Sequence, residues 1–213
     1  EPELFRPLFP AGTDVDAVFR PPLQYSAAAD ADIVVLDRFS PAVRPQSSSI
    51  WIEPPGNAPV GMRGHAGAAA LTRWRGDHPL GAGLRTRDVR LASAQPLQPA
   101  ADDVVIVESD RGPLAVARDG PVKTVVLGFH PMRGEMRFEL ATPLLFVNML
   151  RWMQPDTFRR TELTAASVGD VTVDVAGESG DVHVLDASGR ELPHTRDGNS
   201  VRFFVGSPGT VRV

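Results

Sequence analysis

The chain has 213 residues, 42% of them hydrophobic and 23% charged, with a net charge of −4 and a sequence pI near 5.7. These are ordinary globular values, and the acidic balance argues against the clustered Lys/Arg face that nucleic acid or an anionic membrane surface would want. Cysteine is absent, which removes disulfides, thiolate metal sites and Cys nucleophiles together.

The length suits one α/β domain with a small appendage, or two small domains. Lys123 is the only lysine, so 21 of the 22 basic residues are arginine, a bias that fits a GC-rich genome better than a binding role. No signal peptide is visible, and the apolar stretch 143–153 is too short to span a bilayer. The chain begins Glu1-Pro2 without Met and reads as a piece of something longer.

Residues 1–31 are proline-rich, with a strand predicted at Val15–Phe19. Ala31–Leu36 is a strongly apolar strand ending in Asp37-Arg38-Phe39. A carboxylate at the carboxyl end of a buried parallel strand sits where α/β folds place their sites. The plainer reading, that Asp37 caps the next turn or pairs with Arg38, needs only ordinary turn chemistry. Residues 40–49 read as a loop, Ile50–Ile52 as a short strand cut off by Glu53-Pro54-Pro55-Gly56, and 54–64 as an irregular excursion. Ala68–Trp74 is ambiguous between helix and strand, and the Arg75-Gly76-Asp77 tripeptide is too short to signal adhesion.

From Val89 onward β signals dominate: Val89–Ala94, Val104–Glu108, Pro113–Arg118 and Lys123–Phe129, with turns at Asp110-Arg111-Gly112 and Asp119-Gly120. A turn with Pro131 and Gly134 follows, and then Thr142-Pro143 supplies a hydroxyl for an N-cap and Pro for a first helical position. From Leu144 to Met153 only Asn148 and Arg151 are polar, so the helix is predicted to be buried on more than one side. Gln154-Pro155-Asp156 ends it, and 154–160 reads as a connector. Residues 161–213 carry short strands (Val171–Val175, Val182–Leu185, Val201–Val205, Thr210–Val213) between glycine-rich turns, a small all-β module. The domains are therefore drawn at 1–153 and 161–213.

Chemistry is sparsely signalled. Gly128-Phe129-His130-Pro131, with Glu135 close behind, resembles the Phe-His-Pro-Glu turn that supplies the catalytic His and Glu of class I glutamine amidotransferases. Met132 stands where that Glu would be, Glu135 comes three residues later, and no Cys exists to be activated. Neither Ser47, Ser48 nor Ser49 lies in a Gly-x-Ser-x-Gly elbow. His130 then reads as a solvent-exposed turn residue, with Glu135 and Asp37 as the other candidates. The five histidines (His65, His78, His130, His183, His194) show no ligand spacing, and no glycine-rich nucleotide loop occurs, so neither a metal nor a cofactor is predicted. Trp51, Trp74 and Trp152 read as core or domain-contact anchors rather than a binding stripe.

Several segments in order resemble one family. They are Ala31–Phe39, Ile50–Gly56, Leu71–Trp74 with His78-Pro79-Leu80, Gly112-Pro113-Leu114, Val125–Phe129, Pro143–Leu145 and Asn148–Trp152. The match, over about 14–153, is to the soluble region of Bat-type (aerotolerance) bacterial membrane proteins, which join a membrane-anchored segment and a von Willebrand factor A domain to a glutamine amidotransferase-like domain. The resemblance implies a class I glutamine amidotransferase-like, flavodoxin-like mixed sheet that lacks the catalytic set. Its anchors and von Willebrand domain are missing from this chain, and His130 stands where an acidic residue would follow Gly-Phe.

The expectation is thus a non-catalytic interaction or scaffolding region of a membrane-anchored bacterial envelope protein, on the periplasmic side. Its partners would be other domains of the same protein or its complex, with membrane contact only through segments outside this chain. The alternatives are a Ser/His hydrolase or amidotransferase-type enzyme using His130, and a ligand-binding module using the cleft near Asp37.

Overall fold

Short β-branched runs dominate the chain, and a computed structural model describing residues 2–9, 15–28, 31–85, 89–155, 168–175 and 182–213 shows how they pair. Two compact units result, Glu1–Arg159 and Arg160–Val213.

The first unit opens with the short helix α1 (Pro2–Phe5) and continues through β1 (Ile33–Asp37), β2 (Ser48–Ile52), β3 (Gly61–Met62), β4 (Gly67–Trp74), β5 (Arg90–Ala94), β6 (Leu97–Gln98), β7 (Val104–Ser109), β8 (Gly112–Arg118) and β9 (Thr124–Leu127) to helix α2 (Ala141–Met153). Seven strands form one mixed sheet in the order β1-β2-β9-β8-β7-β4-β5. The β1–β2 and β2–β9 pairs are parallel, and the pairs from β9 to β5 are antiparallel. The fold is mixed α/β. Ala68–Trp74, ambiguous by pattern, is strand because β5 and β7 pair with it on either side, with register shifts in both ladders. Val15–Phe19 joins no strand, contrary to expectation, although Phe19 still packs against the core and carries the Arg6 guanidinium over its ring.

Alternation along the strands divides the sheet into two faces. Ile50, Ile52, Val125, Leu127, Ala115 and Ala117 join one cluster with Phe5 of α1 and Leu145, Phe146, Met149 and Met153 of α2. Leu36, Trp51, Val116 and Val126 point the other way and are covered by Val60, Leu97, Tyr25 and Phe39. Among the described residues no helix lies in that second cluster, and residues 38–47 join the parallel strands β1 and β2 without one.

Helix α2 corrects one expectation and qualifies another. Thr142 is not its N-cap: the helix begins at Ala141, and the buried Thr142 hydroxyl lies 2.5 Å from the Met136 carbonyl and 3.2 Å from that of Pro131. That hydroxyl ties the helix start to the preceding turn. The burial expected on more than one side is there for Ala141, Thr142, Leu145, Phe146, Asn148, Met149, Leu150 and Met153, but a narrow stripe of the helix with Leu144 and Val147 stays more than a third exposed. Its buried Asn148 donates to the carbonyls of Leu80 (3.2 Å) and Ala82 (3.0 Å), satisfying a short 3₁₀ turn at Pro79–Gly81.

In the second unit β10 (Gly169–Asp174), β11 (His194–Asp197) and β12 (Ser200–Val205) form an antiparallel sheet in the order β10-β12-β11. Val184, Val201 and Phe203 are its buried centre. The strands predicted at Val182–Leu185 and Thr210–Val213 reduce to single bridges from Leu185 to Glu191 and to Arg212. Most of the connector predicted at 154–160, and the start of the module at 161, lie outside the described residues.

Candidate functional site

The carboxyl ends of the three parallel strands bring the chemistry together. The residue after β1, Arg38, donates its N–H to the Ile52 carbonyl, and the residue after β2, Glu53, donates to that of Leu127 (both 2.8 Å). Each keeps the ladder for one more step and then turns with positive φ, 48° at Arg38 and 42° at Glu53. Left-handed backbone at a residue other than glycine costs on the order of 1 kcal/mol and collects at functional sites. The third strand runs into Gly128, whose N–H donates to the Leu114 carbonyl (2.7 Å) and whose carbonyl accepts from Gln95 N–H (2.6 Å). A Cβ at Gly128 would collide with the Gln95 carbonyl oxygen, so glycine is required to deliver Phe129 and His130 to the strand ends.

His130 is only 4% exposed, which overturns its reading as a solvated turn residue. Its Nε2 lies 3.1 Å from Asp37 Oδ1, and its Nδ1 accepts the Met132 N–H at 3.2 Å. A nitrogen that accepts carries no proton, so the proton sits on Nε2 and is donated to Asp37. Phe5 of α1 packs against the ring, centroids 5.8 Å apart, and meets Phe146 of α2 edge-on at the same separation. Burial alone would raise the Asp37 carboxyl, but hydrogen bonds, with that of His130 the largest, hold it well below the usual carboxylate range. Arg38 Nε stands 3.6 Å from the same oxygen.

Two candidates therefore meet and one does not. Glu135 is exposed and accepts the Arg90 N–H (3.1 Å) at the start of β5, so Asp37, 93 residues away in sequence, orients His130 instead. Ser48 and Ser49 lie at the opposite ends of the strands: Ser49 is level with Thr124, three residues or about 10 Å before Leu127. Ser49 Oγ accepts from the Trp51 indole (3.0 Å) and Ser48 Oγ from Lys123 N–H (3.2 Å). Ser40, just beyond Asp37, has a buried hydroxyl without a hydrogen-bond partner, so it does not reach the imidazole. As arranged, His130 presents no free ring nitrogen to a nucleophile, because one lone pair is taken by a backbone N–H and the proton by a carboxylate.

Sequence reading missed Glu53. Its side chain is half-buried, and burial first of all raises its pKa against the opposing pull of His130, Arg38 and Arg133. The available signal was that a carboxylate ending β2 stands beside the carboxylate ending β1. A raised folded pKa means the native state holds its proton longer, so Glu53 detracts from stability as pH rises above the ordinary carboxyl range. Glu53→Gln is thus expected to stabilise the chain at pH 7, on the order of 0.5 kcal/mol because the group keeps solvent access. The gain should vanish near pH 4. Urea unfolding at the two pH values reads it, and a loss at pH 7 would mean that ion pairing with Arg38 and Arg133 outweighs burial.

Among the described residues no group of three or more His, Asp or Glu side chains has a geometry that would hold a metal ion, and no helix is long and apolar enough to cross a membrane. No protein-family model matches the chain, and no curated protein matches it in sequence. Two solved structures are similar in shape. A cytoplasmic protein of Salmonella typhimurium is 16% identical with a TM-score of 0.40, over 50% of this chain and 54% of that one. A ThuA-like protein of Bacteroides uniformis is 11% identical with a TM-score of 0.39, over 57% and 69%. The chain thus spans about half the length of the Salmonella protein.

Proposed function

We propose that this chain is a non-catalytic interaction region of a membrane-anchored bacterial envelope protein. Its first unit is a glutamine amidotransferase-like, flavodoxin-like domain in which the histidine turn serves as a brace. The family reading rests on the ordered resemblance to Bat-type proteins, and the partners are other domains of that protein or of its complex. One observation carries the non-catalytic part: both ring nitrogens of His130 are engaged inside the protein, one by Asp37 and one by the Met132 N–H. An amidotransferase-type mechanism needs a nucleophile, a base free to take its proton and donors for the oxyanion, converging within about 3 Å. The chain has no Cys, Ser48 and Ser49 hydrogen-bond at the opposite ends of the strands, and the Ser40 hydroxyl makes no hydrogen bond to the imidazole.

Incubation with glutamine or with p-nitrophenyl acetate is expected to release no glutamate or nitrophenol above the buffer rate. Turnover that His130→Gln abolishes in a folded protein would place the chain among hydrolases. The strained, half-buried Glu53 favours one second reading, a small-ligand site at the strand ends. That reading expects some member of a small-molecule panel to raise the melting temperature of the wild type but not of Glu53→Gln.

A further inference from the structure

Loops set at one end of a rigid β module are common carriers of binding. In the second unit two such segments face each other, the turn 186–190 and the stretch 206–210 that follows β12. Leu185 ties their bases together, bridging Glu191 on one side and Arg212 on the other. Between them lies an open cleft of about 350 Å³, within the range of small-ligand sites.

The two walls differ in chemistry. On one, Phe204 turns outward from β12 while its neighbour Phe203 turns into the core, and its ring is 63% exposed. That ring lies beside the loop, where a Cβ on Gly206 would stand 3.5 Å from Phe204 Cε1. On the other wall Asp186 organises the turn. Its Oδ1 accepts the N–H groups of Ser188 (2.9 Å) and Arg190 (3.0 Å) and the Ser188 hydroxyl. Its Oδ2 accepts Arg190 Nε at 3.1 Å, with Arg190 Nη2 3.0 Å away. These hydrogen bonds, with that of the Ser188 hydroxyl the largest, hold the Asp186 carboxyl down to about 2. It therefore stays ionised and offsets the Arg190 charge.

The polarity of this group selects the ligand. Asp186 has no acceptor capacity left to offer. Among the described residues Arg190 keeps Nη1 free to donate, whereas Ser188, its proton given to Asp186, turns only lone pairs outward. An anion would suit Arg190 but oppose those lone pairs, and a neutralised guanidinium attracts it little. A hydroxyl group accepts from the one and donates to the other. The Phe204 phenyl adds a platform for an apolar ring face. We infer that this cleft binds a neutral saccharide, with one face of a sugar ring on Phe204 and its hydroxyls on Arg190 and Ser188. The cleft is open to water, so binding is weak, with a dissociation constant on the order of 1 mM. The site goes beyond the interaction reading and uses no residue of the strand-end cluster.

Amide NMR spectra of the ¹⁵N-labelled whole chain test it, with glucose, galactose, mannose, N-acetylglucosamine and chitotriose each added to roughly 20 mM. At least one sugar should shift the signals of 186–190 and 204–211 saturably. Phe204→Ala and Ser188→Ala, both at exposed positions, should each weaken that binding at least fivefold while the rest of the spectrum stays unchanged. Arg190→Lys keeps the charge but loses the planar fork, and should weaken it as well. Affinity should not differ between about 50 and 500 mM NaCl, since the ligand carries no charge. Inorganic phosphate at the same concentration should neither shift these signals nor displace the sugar. No saturable shift from any of the five sugars, binding indifferent to Phe204→Ala, or displacement by phosphate would each overturn the inference.

Discussion

Leu145→Ala is expected to lower the free energy of unfolding by roughly 2–5 kcal/mol, the cost of deleting a leucine side chain from a packed interior. Leu145 is 2% exposed and belongs to the cluster that joins α2 to Ile50 and Ile52 of β2 and to Val125 and Leu127 of β9. Those are the central parallel strands, so a cavity there touches the layer that carries the strand-end site. The adjacent residue supplies the control. Leu144 faces water on the same helix, so Leu144→Ala should cost less than about 1 kcal/mol, helped by the better helix propensity of alanine. Urea denaturation of both variants separates burial from propensity. A loss under about 0.5 kcal/mol at Leu145 would make the helix peripheral to the fold.

The strands of the large sheet were legible because their side chains obey a local rule. The run Val125–Leu127 is buried on both faces, and parallel strands with covered faces read as continuous apolar stretches, a pattern that the edge run Ile33–Leu36 shares in sequence although Val35 is exposed. What escaped was whatever depends on distant partners. Thr142-Pro143 has the local look of a helix start, but the hydroxyl has better acceptors in the Pro131 and Met136 carbonyls, and the helix begins two residues earlier, at Ala141. Val15–Phe19 has the right composition for a strand and finds no ladder to join. The apolar roundness of α2 was plain in sequence, whereas its one open side depends on what the sheet leaves uncovered.

The site divides the same way. The strand-end position of Asp37 was visible, and so was the histidine turn, yet sequence proximity pointed to Arg38 and Glu135 as their partners. The actual pairing closes a gap of 93 residues, set by β2 lying between β1 and β9 in the sheet. Glu53 looked like the start of a Pro-Pro turn, which it is. Only the register that ends β2 level with β1 and β9 makes it a neighbour of the same cluster.

His130→Ala should cost on the order of 1–3 kcal/mol at pH 7, because it removes the largest of the hydrogen bonds that hold the largely buried Asp37 carboxylate. Its pH dependence distinguishes a brace from a spare catalytic group. In the wild type Asp37 has a folded pKa held well below the usual carboxylate range. Its contribution is fully present at neutral pH. It is lost progressively as pH falls through about 3.9, where the unfolded carboxyl takes up its proton, toward the lower folded value. In His130→Ala the burial that raises the carboxyl loses its largest opposing hydrogen bond, so that variant's deficit should shrink as the medium is acidified toward pH 4. Asp37→Asn removes the titrating group and should flatten the acid limb of the stability curve. Combined in a double-mutant cycle, the two changes should couple by well over 0.5 kcal/mol at pH 7 and by little at low pH. Additive losses with an unaltered acid limb would mean the 3.1 Å contact contributes nothing, and His130 would again need another reason to be buried at the strand ends.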